Sequence, residues 1–451
     1  MKVKVISRNP DEYLRETKRD IHKVQRNYDP ALHPLEAPRE YARALNSVKL
    51  ERIFAKPFLG NLEGHRDGVS CLAKHPATLS FLASGAYDGE IKFWDLPQRV
   101  CKRSFQAHDG YVRGLTFTPN GENLLSMGDD KTIKTWSMEE EQEEPTNTIL
   151  SKTVLISMSH QRSTNRFVTC GEVCQLWEHG RNEPIRTYQW GLDSLHHVSF
   201  NQIETHLLAA CASDRSVILY DTRDSGPVRK VVLKLKANSL CWNPMEAFNF
   251  TVANEDFKYV SKRFNIGCLY TFDARQMRVP VNVHMDHVGA VVDVDYSPTG
   301  KEFVSGSYDK TVRIYEAHKG HSREVYHTKR MQRLTVVSWS LDNKYIMSGS
   351  DEMNIRVWKA RAAEKLGALK PREKAALNYH QALRTKFAQH PQIKRIARHR
   401  HVPKHIYNAQ KEQQAMREKA KRKEGNLRKH SKKGAVPFIP ERKKHVVREH
   451  E

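Results

Sequence analysis

Phe303-Val304-Ser305-Gly306-Ser307-Tyr308-Asp309-Lys310-Thr311-Val312-Arg313-Ile314-Tyr315 reads as two short strands joined by a tight turn, with an aromatic closing the second strand. Working outward in both directions, such a closing aromatic recurs at Trp94, Trp136, Trp177, Tyr220, Phe272, Tyr315 and Trp358. The steps between them are 42, 41, 43, 52, 43 and 43 residues. The fullest units carry a histidine before the unit, a serine on the central strand, an aspartate in the turn and the aromatic at the end. These sets are His65, Ser84, Asp88 and Trp94; His108, Ser126, Asp130 and Trp136; and His287, Ser305, Asp309 and Tyr315. Buried polar side chains need partners, so a set recurring at structural spacing predicts a hydrogen-bonded chain that ties each unit together. Histidine, serine and aspartate also make a nucleophilic triad. Recurrence in several units argues for structure instead, and no catalytic residues are assigned.

The period and these residues resemble the WD-repeat signature, a four-stranded unit of about 40–45 residues. Seven units imply an all-β, seven-bladed WD-repeat β-propeller, whose radial closure leaves only short, protected edges. The weaker units remain readable. The third has Gly171 where the aspartate belongs, the fourth has Asp214 but Ala210 at the serine position, and the seventh has Ser348 with Glu352 six residues before Trp358. These should rely more on apolar strands such as Ser216-Val217-Ile218-Leu219-Tyr220 and Asn354-Ile355-Arg356-Val357-Trp358. In the fifth, Asp256 stands sixteen residues before Phe272, which implies an insert of about ten residues near 257–266 in a turn that tolerates it. Trp358 ends a third strand, so the outer strand of the last blade should come from the chain before blade one, near Ile53 to Leu59, removing an open edge. The expected domains are an N-terminal extension (1–51), the propeller (52–360) and a basic, largely helical tail (361–451).

The chain has 451 residues with Lys+Arg 75, Asp+Glu 52 and a formal net charge of +23. The excess is unevenly placed. Residues 359–451 hold 27 basic and 8 acidic residues, residues 1–60 hold 13 and 8, and the 298 between them are near −1. An apolar fraction of 39% supports a real core and excludes a wholly disordered chain. No apolar run is long enough for a transmembrane helix, and the polar start after Met1-Lys2-Val3-Lys4-Val5-Ile6 does not read as a signal peptide. The seven cysteines, Cys71, Cys101, Cys170, Cys174, Cys211, Cys241 and Cys268, are odd in number and scattered. They read as buried strand thiols rather than a disulfide framework or metal site, and the protein as intracellular.

Among the first sixty residues, Pro30, Pro34, Pro38 and Pro57 predict that no helix runs through them, and Asn27-Tyr28-Asp29-Pro30 and Leu32-His33-Pro34-Leu35 read as extended anchors. In the tail, Arg372 to Phe387 predicts a helix with Ala376, Tyr379, Leu383 and Phe387 at compatible spacing, started by Pro371. Asn408 to Leu427 predicts a solvated or partner-bound helix, and the segment beyond it a flexible basic end. Candidate RNA- or ribonucleoprotein-contacting residues are Lys394, Arg395, Arg398, Arg400, Lys419, Lys421, Arg422, Lys423, Lys432, Lys433, Lys443 and Lys444. Such clusters grip phosphate backbones with steep salt dependence and little base selectivity. A nuclear-targeting or solubilising tail and a protein-docking tail are the alternatives. The apolar face is too thin for a membrane-surface helix.

His390-Pro391-Gln392-Ile393-Lys394-Arg395-Ile396-Ala397-Arg398-His399-Arg400-His401 and Lys443-Lys444-His445-Val446-Val447, with the Asn27–Pro34 phrase and the seven repeats, resemble the WD-repeat proteins that carry a SOF-type domain, in the DDB- and cullin-associated factor class. The resemblance covers nearly the whole chain. It implies a nucleolar factor of the small-subunit processome, working with pre-ribosomal RNA and the box C/D small nucleolar RNP in 18S rRNA maturation, without cofactor, metal, small-molecule substrate or catalysis. It also implies a substrate receptor of a cullin-RING ubiquitin ligase, bound to a DDB-type adaptor. Receptors of this class carry a Trp-Asp-x-Arg box, and the matching places here are Tyr220-Asp221-Thr222-Arg223 and Phe272-Asp273-Ala274-Arg275, which keep aspartate and arginine but replace the tryptophan. Asp221, Arg223, Asp273 and Arg275 are therefore the candidate adaptor-binding residues. The bland alternative is that Asp-x-Arg merely closes a strand turn.

Overall fold

A computed structural model describes residue 31 and residues 34–138, 144–191, 193–255 and 267–450. Asp256, the insert near 257–266 and most of the Asn27–Pro34 phrase lie outside the described residues. The chain divides into two compact units, residues 1–57 with 361–400, and residues 58–360 with 401–451. The segment 361–451 is thus shared between them.

The larger unit is a seven-bladed β-propeller. Within each blade the four strands pair antiparallel in sequence order, as in blade one, Val69–Lys74, Phe81–Ala86, Glu90–Asp95 and Val100–Gln106. Two blades depart from the pattern. Blade seven takes its outer strand from Phe58–Leu62, which pairs with Ile355–Lys359 through Phe58 opposite Trp358 and Leu62 opposite Ile355. The closing strand therefore lies a few residues later than Ile53–Leu59, because a helix occupies the chain up to Ile53. Blade four has five strands, since Val446–His450 adds to the outer edge of Pro227–Leu233. The basic end of the chain is a strand in this place rather than a flexible segment: main-chain pairing with an open edge outweighs its charge.

The core lies between neighbouring blades. Val168, Leu176 and Tyr188 of blade three pack with Val198, Phe200 and Leu208 of blade four, and Val217 and Val231 of blade four with Trp242, Phe250 and Tyr270 of blade five. All seven closing aromatics are buried. Each large apolar side chain so buried contributes about 1.5–3 kcal/mol, which is why weaker blades hold with fewer polar ties. Cys170 and Cys174 face each other across neighbouring strands as buried thiols, and burial pushes Cys170 up to about 12.

The smaller unit contains α1 (Glu36–Ile53), α2 (Pro371–Lys386) and α3 (Pro391–Arg398). Pro38 sits inside α1, against the expectation that no helix would include it. It stands in the first turn, where the missing N–H would have no intrahelical acceptor anyway. Ala44, Val48, Leu383 and Ile393 form the buried centre, with Tyr41 and Phe387 packed against it. Of the four apolar residues expected along α2 only Leu383 is buried, and Ala376 and Tyr379 face solvent. The Tyr41 hydroxyl donates to Gln392 Oε1 at 2.6 Å, Lys386 pairs with Glu40 at 2.6 Å, and Arg384 pairs with Glu51.

Candidate interaction surfaces

Three groups of side chains stand out in the sequence: the blade ties, the Asp-x-Arg boxes and the basic tail. In blade two, Trp136 Nε1 donates to Ser126 Oγ at 2.8 Å, Ser126 Oγ lies 2.8 Å from His108 Nε2, and His108 Nδ1 lies 2.9 Å from Asp130 Oδ2. Blade six repeats the chain with His287 Nε2 2.7 Å from Ser305 Oγ and Nδ1 2.9 Å from Asp309 Oδ2. Each histidine precedes its blade, at or just beyond the outer strand of the blade before, so the tie stitches two blades as well as one turn. Burial would raise Asp309, but the His287 and Arg313 charges and hydrogen bonds from His287 and Thr311 hold it well below the usual carboxylate range. Blade one keeps Trp94 and His65 on Ser84 at 2.7 and 2.6 Å, but Asp88 instead caps the Glu90 amide, and His65 Nδ1 is buried without a hydrogen-bond partner. Every donor and acceptor named here is occupied by the fold or enclosed in it, so these sets form no reactive cleft.

The weaker blades use substitutes invisible to the repeat spacing. In blade three Thr169 accepts the Trp177 indole at 2.9 Å, across a shortened turn. In blade five Thr251 and Thr271 lie 3.0 Å apart, and the Tyr296 hydroxyl from blade six lies 2.6 Å from Thr251.

The two Asp-x-Arg boxes occupy equivalent places on adjacent blades, each just beyond a third strand. In blade four, Asp221 accepts the Arg223 amide at 2.9 Å and its guanidinium at 2.7 Å, while the Arg223 side chain remains 70% exposed. In blade five, Asp273 accepts the Arg275 amide at 2.9 Å and its guanidinium at 2.9 Å, with Arg275 68% exposed and its guanidinium 4.7 Å from the Phe248 ring centre. These hydrogen bonds from arginine hold both carboxyls below their usual range. Each aspartate thus sets the backbone turn and presents a pre-oriented guanidinium outward, a planar fork suited to carboxylates or carbonyls.

Sequence reasoning missed what holds these turns from behind. Arg186, on the outer strand of blade three, donates through Nη1 to the carbonyls of Thr222, Arg223 and Asp224 at 2.9, 3.0 and 2.9 Å. Arg229, on the outer strand of blade four, donates through Nη1 to Ala274 and Arg275 carbonyls at 3.4 and 2.6 Å. A signal existed: Arg186 follows Trp177, and Arg229 follows Tyr220, by nine residues each.

The basic candidates are scattered over both units. Lys394, Arg395 and Arg398 lie on α3, and Arg400 just beyond it donates to the Ala397 carbonyl at 2.7 Å. In the larger unit, α4 (Lys404–His430) runs on to expose Lys419, Lys421, Arg422 and Lys423. It is anchored to the propeller by buried Ile406 and by Gln410 Nε2, which donates to the Asp286 carbonyl at 2.6 Å. It is longer at both ends than 408–427. Lys432, Lys433 and Lys443 are exposed, whereas Lys444 is half-buried and pairs with Glu424 at 3.1 Å. Among the described residues no group of three or more His, Cys, Asp or Glu side chains could hold a metal ion, and no helix is long and apolar enough to cross a membrane.

Comparison with known proteins gives the following. Residues 360–446 match the Sof1-like domain, and residues 56–95, 99–137, 278–316 and 318–359 match the WD domain, G-beta repeat. Those four ranges fall on blades one, two, six and seven, and blades three, four and the first three strands of blade five lie outside them. The chain is 59% identical over 451 residues to DDB1- and CUL4-associated factor 13 of Xenopus tropicalis and 57% identical to that of Homo sapiens, covering 99% of both partners in each case. It is 43% identical over 474 residues to Protein SOF1 of Saccharomyces cerevisiae, covering 99% of this chain and 94% of the other.

Proposed function

The chain belongs to the family of the DDB1- and CUL4-associated factor 13 proteins, WD-repeat proteins with a Sof1-like domain, and on that premise we propose that it is a non-enzymatic scaffold of the nucleolar small-subunit processome. Its partners are pre-ribosomal RNA and box C/D snoRNP proteins, and its work supports pre-rRNA processing and 18S rRNA maturation. The observation that carries this reading is the anchored helix α4: it is tied to a near-neutral wheel through Gln410 and, further along, through Arg417, with Glu424 paired to Lys444, while Lys419, Lys421, Arg422 and Lys423 are exposed to solvent. Such an arm meets phosphates without burying its charge in the fold. The test is in-cell RNA crosslinking of the full chain against a variant with these four residues replaced by glutamate. A severalfold loss of crosslinks to pre-ribosomal and small nucleolar RNA is expected. Unchanged crosslinks would remove α4 from RNA contact.

A second reading has its own observation. The two boxes on adjacent blades present Arg223 and Arg275 in the same geometry, as an adaptor-binding pair would. In this role the chain is a substrate receptor that joins a DDB1-type adaptor of a cullin-RING ligase. The adaptor should bind the intact chain and be lost from Arg223→Glu/Arg275→Glu. Undiminished binding by that variant would sink the box assignment. The two readings use different surfaces and are compatible.

A further inference from the structure

Blade four is the one blade among the described residues with a fifth strand, and that strand is the end of the chain. Val446–His450 runs antiparallel to Pro227–Leu233, with Lys230 opposite His450, Val231 opposite Glu449 and Leu233 opposite Val446. The Lys234 amide donates to the His445 carbonyl at 3.1 Å, and His445 Nδ1 lies 2.9 Å from the Tyr270 hydroxyl of blade five. This register places Glu449 between two arginines. Arg278 Nε donates to Glu449 Oε2 at 2.8 Å, and Arg229 Nη1 lies 3.7 Å from Glu449 Oε1. The Glu449 side chain is only 7% exposed.

Both arginines bear on the second box. Arg229 holds the carbonyl of Arg275 at 2.6 Å, and Arg278 follows Arg275 by three residues. We propose that Glu449 is a positioning residue for the adaptor surface: the C-terminal strand, docked on blade four, fixes the turn from which Arg275 projects. An enclosed carboxylate orients guanidinium groups more strongly than an exposed one, because water competes less for the same donors. The first box is built differently. Arg186 grips three carbonyls of its turn, and none of its partners named here comes from the chain end. Drawing the terminal strand away from blade four, as when the tail engages another particle, therefore loosens the second box and leaves the first intact. The inference rests on the receptor reading for its consequence, though not for the geometry of the coupling.

The test uses the full chain with Glu449→Gln, Glu449→Asp and, as a control, Arg448→Gln at the exposed neighbouring position. Amide hydrogen exchange over 273–278 should speed up in Glu449→Gln, return partway in Glu449→Asp and stay unchanged in Arg448→Gln, with 221–224 unaffected in all three. Adaptor affinity should fall about tenfold in Glu449→Gln, as a lost orienting ion pair allows. Unchanged exchange over 273–278 overturns the coupling, as does an equal effect from Arg448→Gln, which would mean general loss of the strand. Faster exchange with unchanged affinity, while Arg275→Glu still weakens binding, overturns the positioning role. If Arg275→Glu has no effect on binding, the receptor reading fails and the exchange result alone judges the coupling.

Discussion

Blade six and blade one carry histidine, serine and aspartate in the same order, His287, Ser305 and Asp309 against His65, Ser84 and Asp88, closed by Tyr315 and by Trp94, and they are tied differently. In blade six the aspartate holds the histidine at 2.9 Å, and the closing tyrosine hydroxyl is buried without a hydrogen-bond partner. In blade one the closing indole holds the serine at 2.7 Å, and the aspartate serves the turn instead. The aromatic contact follows the residue type, since Trp136 of blade two also donates to its serine, whereas the histidine–aspartate contact goes with one residue of spacing. His65 precedes Ser84 by 19 residues, whereas His287 precedes Ser305 by 18. The residue two beyond the aspartate also differs: Thr311 donates its hydroxyl to Asp309 at 2.5 Å, where blade one has Glu90, paired with Lys92 at 2.6 Å. The same histidine, serine and aspartate thus leave the aspartate's partner open, and geometry at the level of one residue decides it.

The largest effect that can break this comparison is loss of the histidine. His287→Ala leaves the Asp309 carboxylate, its side chain 3% exposed, without its imidazole, and should cost about 3–5 kcal/mol in urea unfolding. His65→Ala removes a single hydrogen bond and some packing, and should cost about 1–3 kcal/mol. Equal losses would show that the aspartate contact is not what separates the blades.

Titration gives the next effect. Burial first, then the Lys92 charge, lowers His65 to about 4, with Asp88 opposing, while an unfolded histidine titrates near 6.5. The folded chain keeps this imidazole neutral, so the unfolded state binds the extra proton as pH falls. Stability from this site is complete above pH 6.5, declines below it and is exhausted near pH 4, a loss of about 3 kcal/mol. The stability gap between the natural chain and His65→Gln should therefore narrow between pH 7 and pH 4.5. A constant gap would mean that His65 is not held neutral by the fold.

Serine substitutions should reverse the order expected for histidine. Ser84→Ala strips partners from both Trp94 and His65 and should cost about 1–3 kcal/mol. Ser305→Ala leaves His287 on Asp309 and should cost about 1 kcal/mol. Thermal midpoints of the two variants measured side by side check the ordering, and a larger drop for Ser305→Ala would contradict the assignment of partners.

The propeller was legible because a strand period of two and a repeat of about 43 residues both survive in the residue pattern. Closure by the chain before blade one was legible for a topological reason, since Trp358 ended a third strand and an edge had to be covered. The helix α1 was hidden by Pro38, whose meaning depends on whether it lies in a first turn or an interior one. Thr169 in blade three was hidden by a turn two residues shorter than the repeat. The Asp-x-Arg boxes were found by resemblance. Their supports, Arg186 and Arg229, were not: each recurs nine residues after the closing aromatic of its own blade, but the turn it holds belongs to the next blade.

The sequence by itself determined the number of blades, the aromatic that closes each and the segregation of positive charge to the two ends, since these depend on local pattern and composition. Only the tertiary structure decided which aspartate meets which histidine, which arginine braces which box, and where the basic end of the chain goes. Hydrogen bonds fail over a fraction of an ångström, so their partners follow from register and turn length rather than from residue type. The terminal strand is the plainest case. Lys443-Lys444-His445-Val446-Val447 reads as a charged tail, and the chain from Val446 to His450 becomes the fifth strand of blade four because an unpaired edge, and the pair Arg229 and Arg278, lie where Glu449 can reach them.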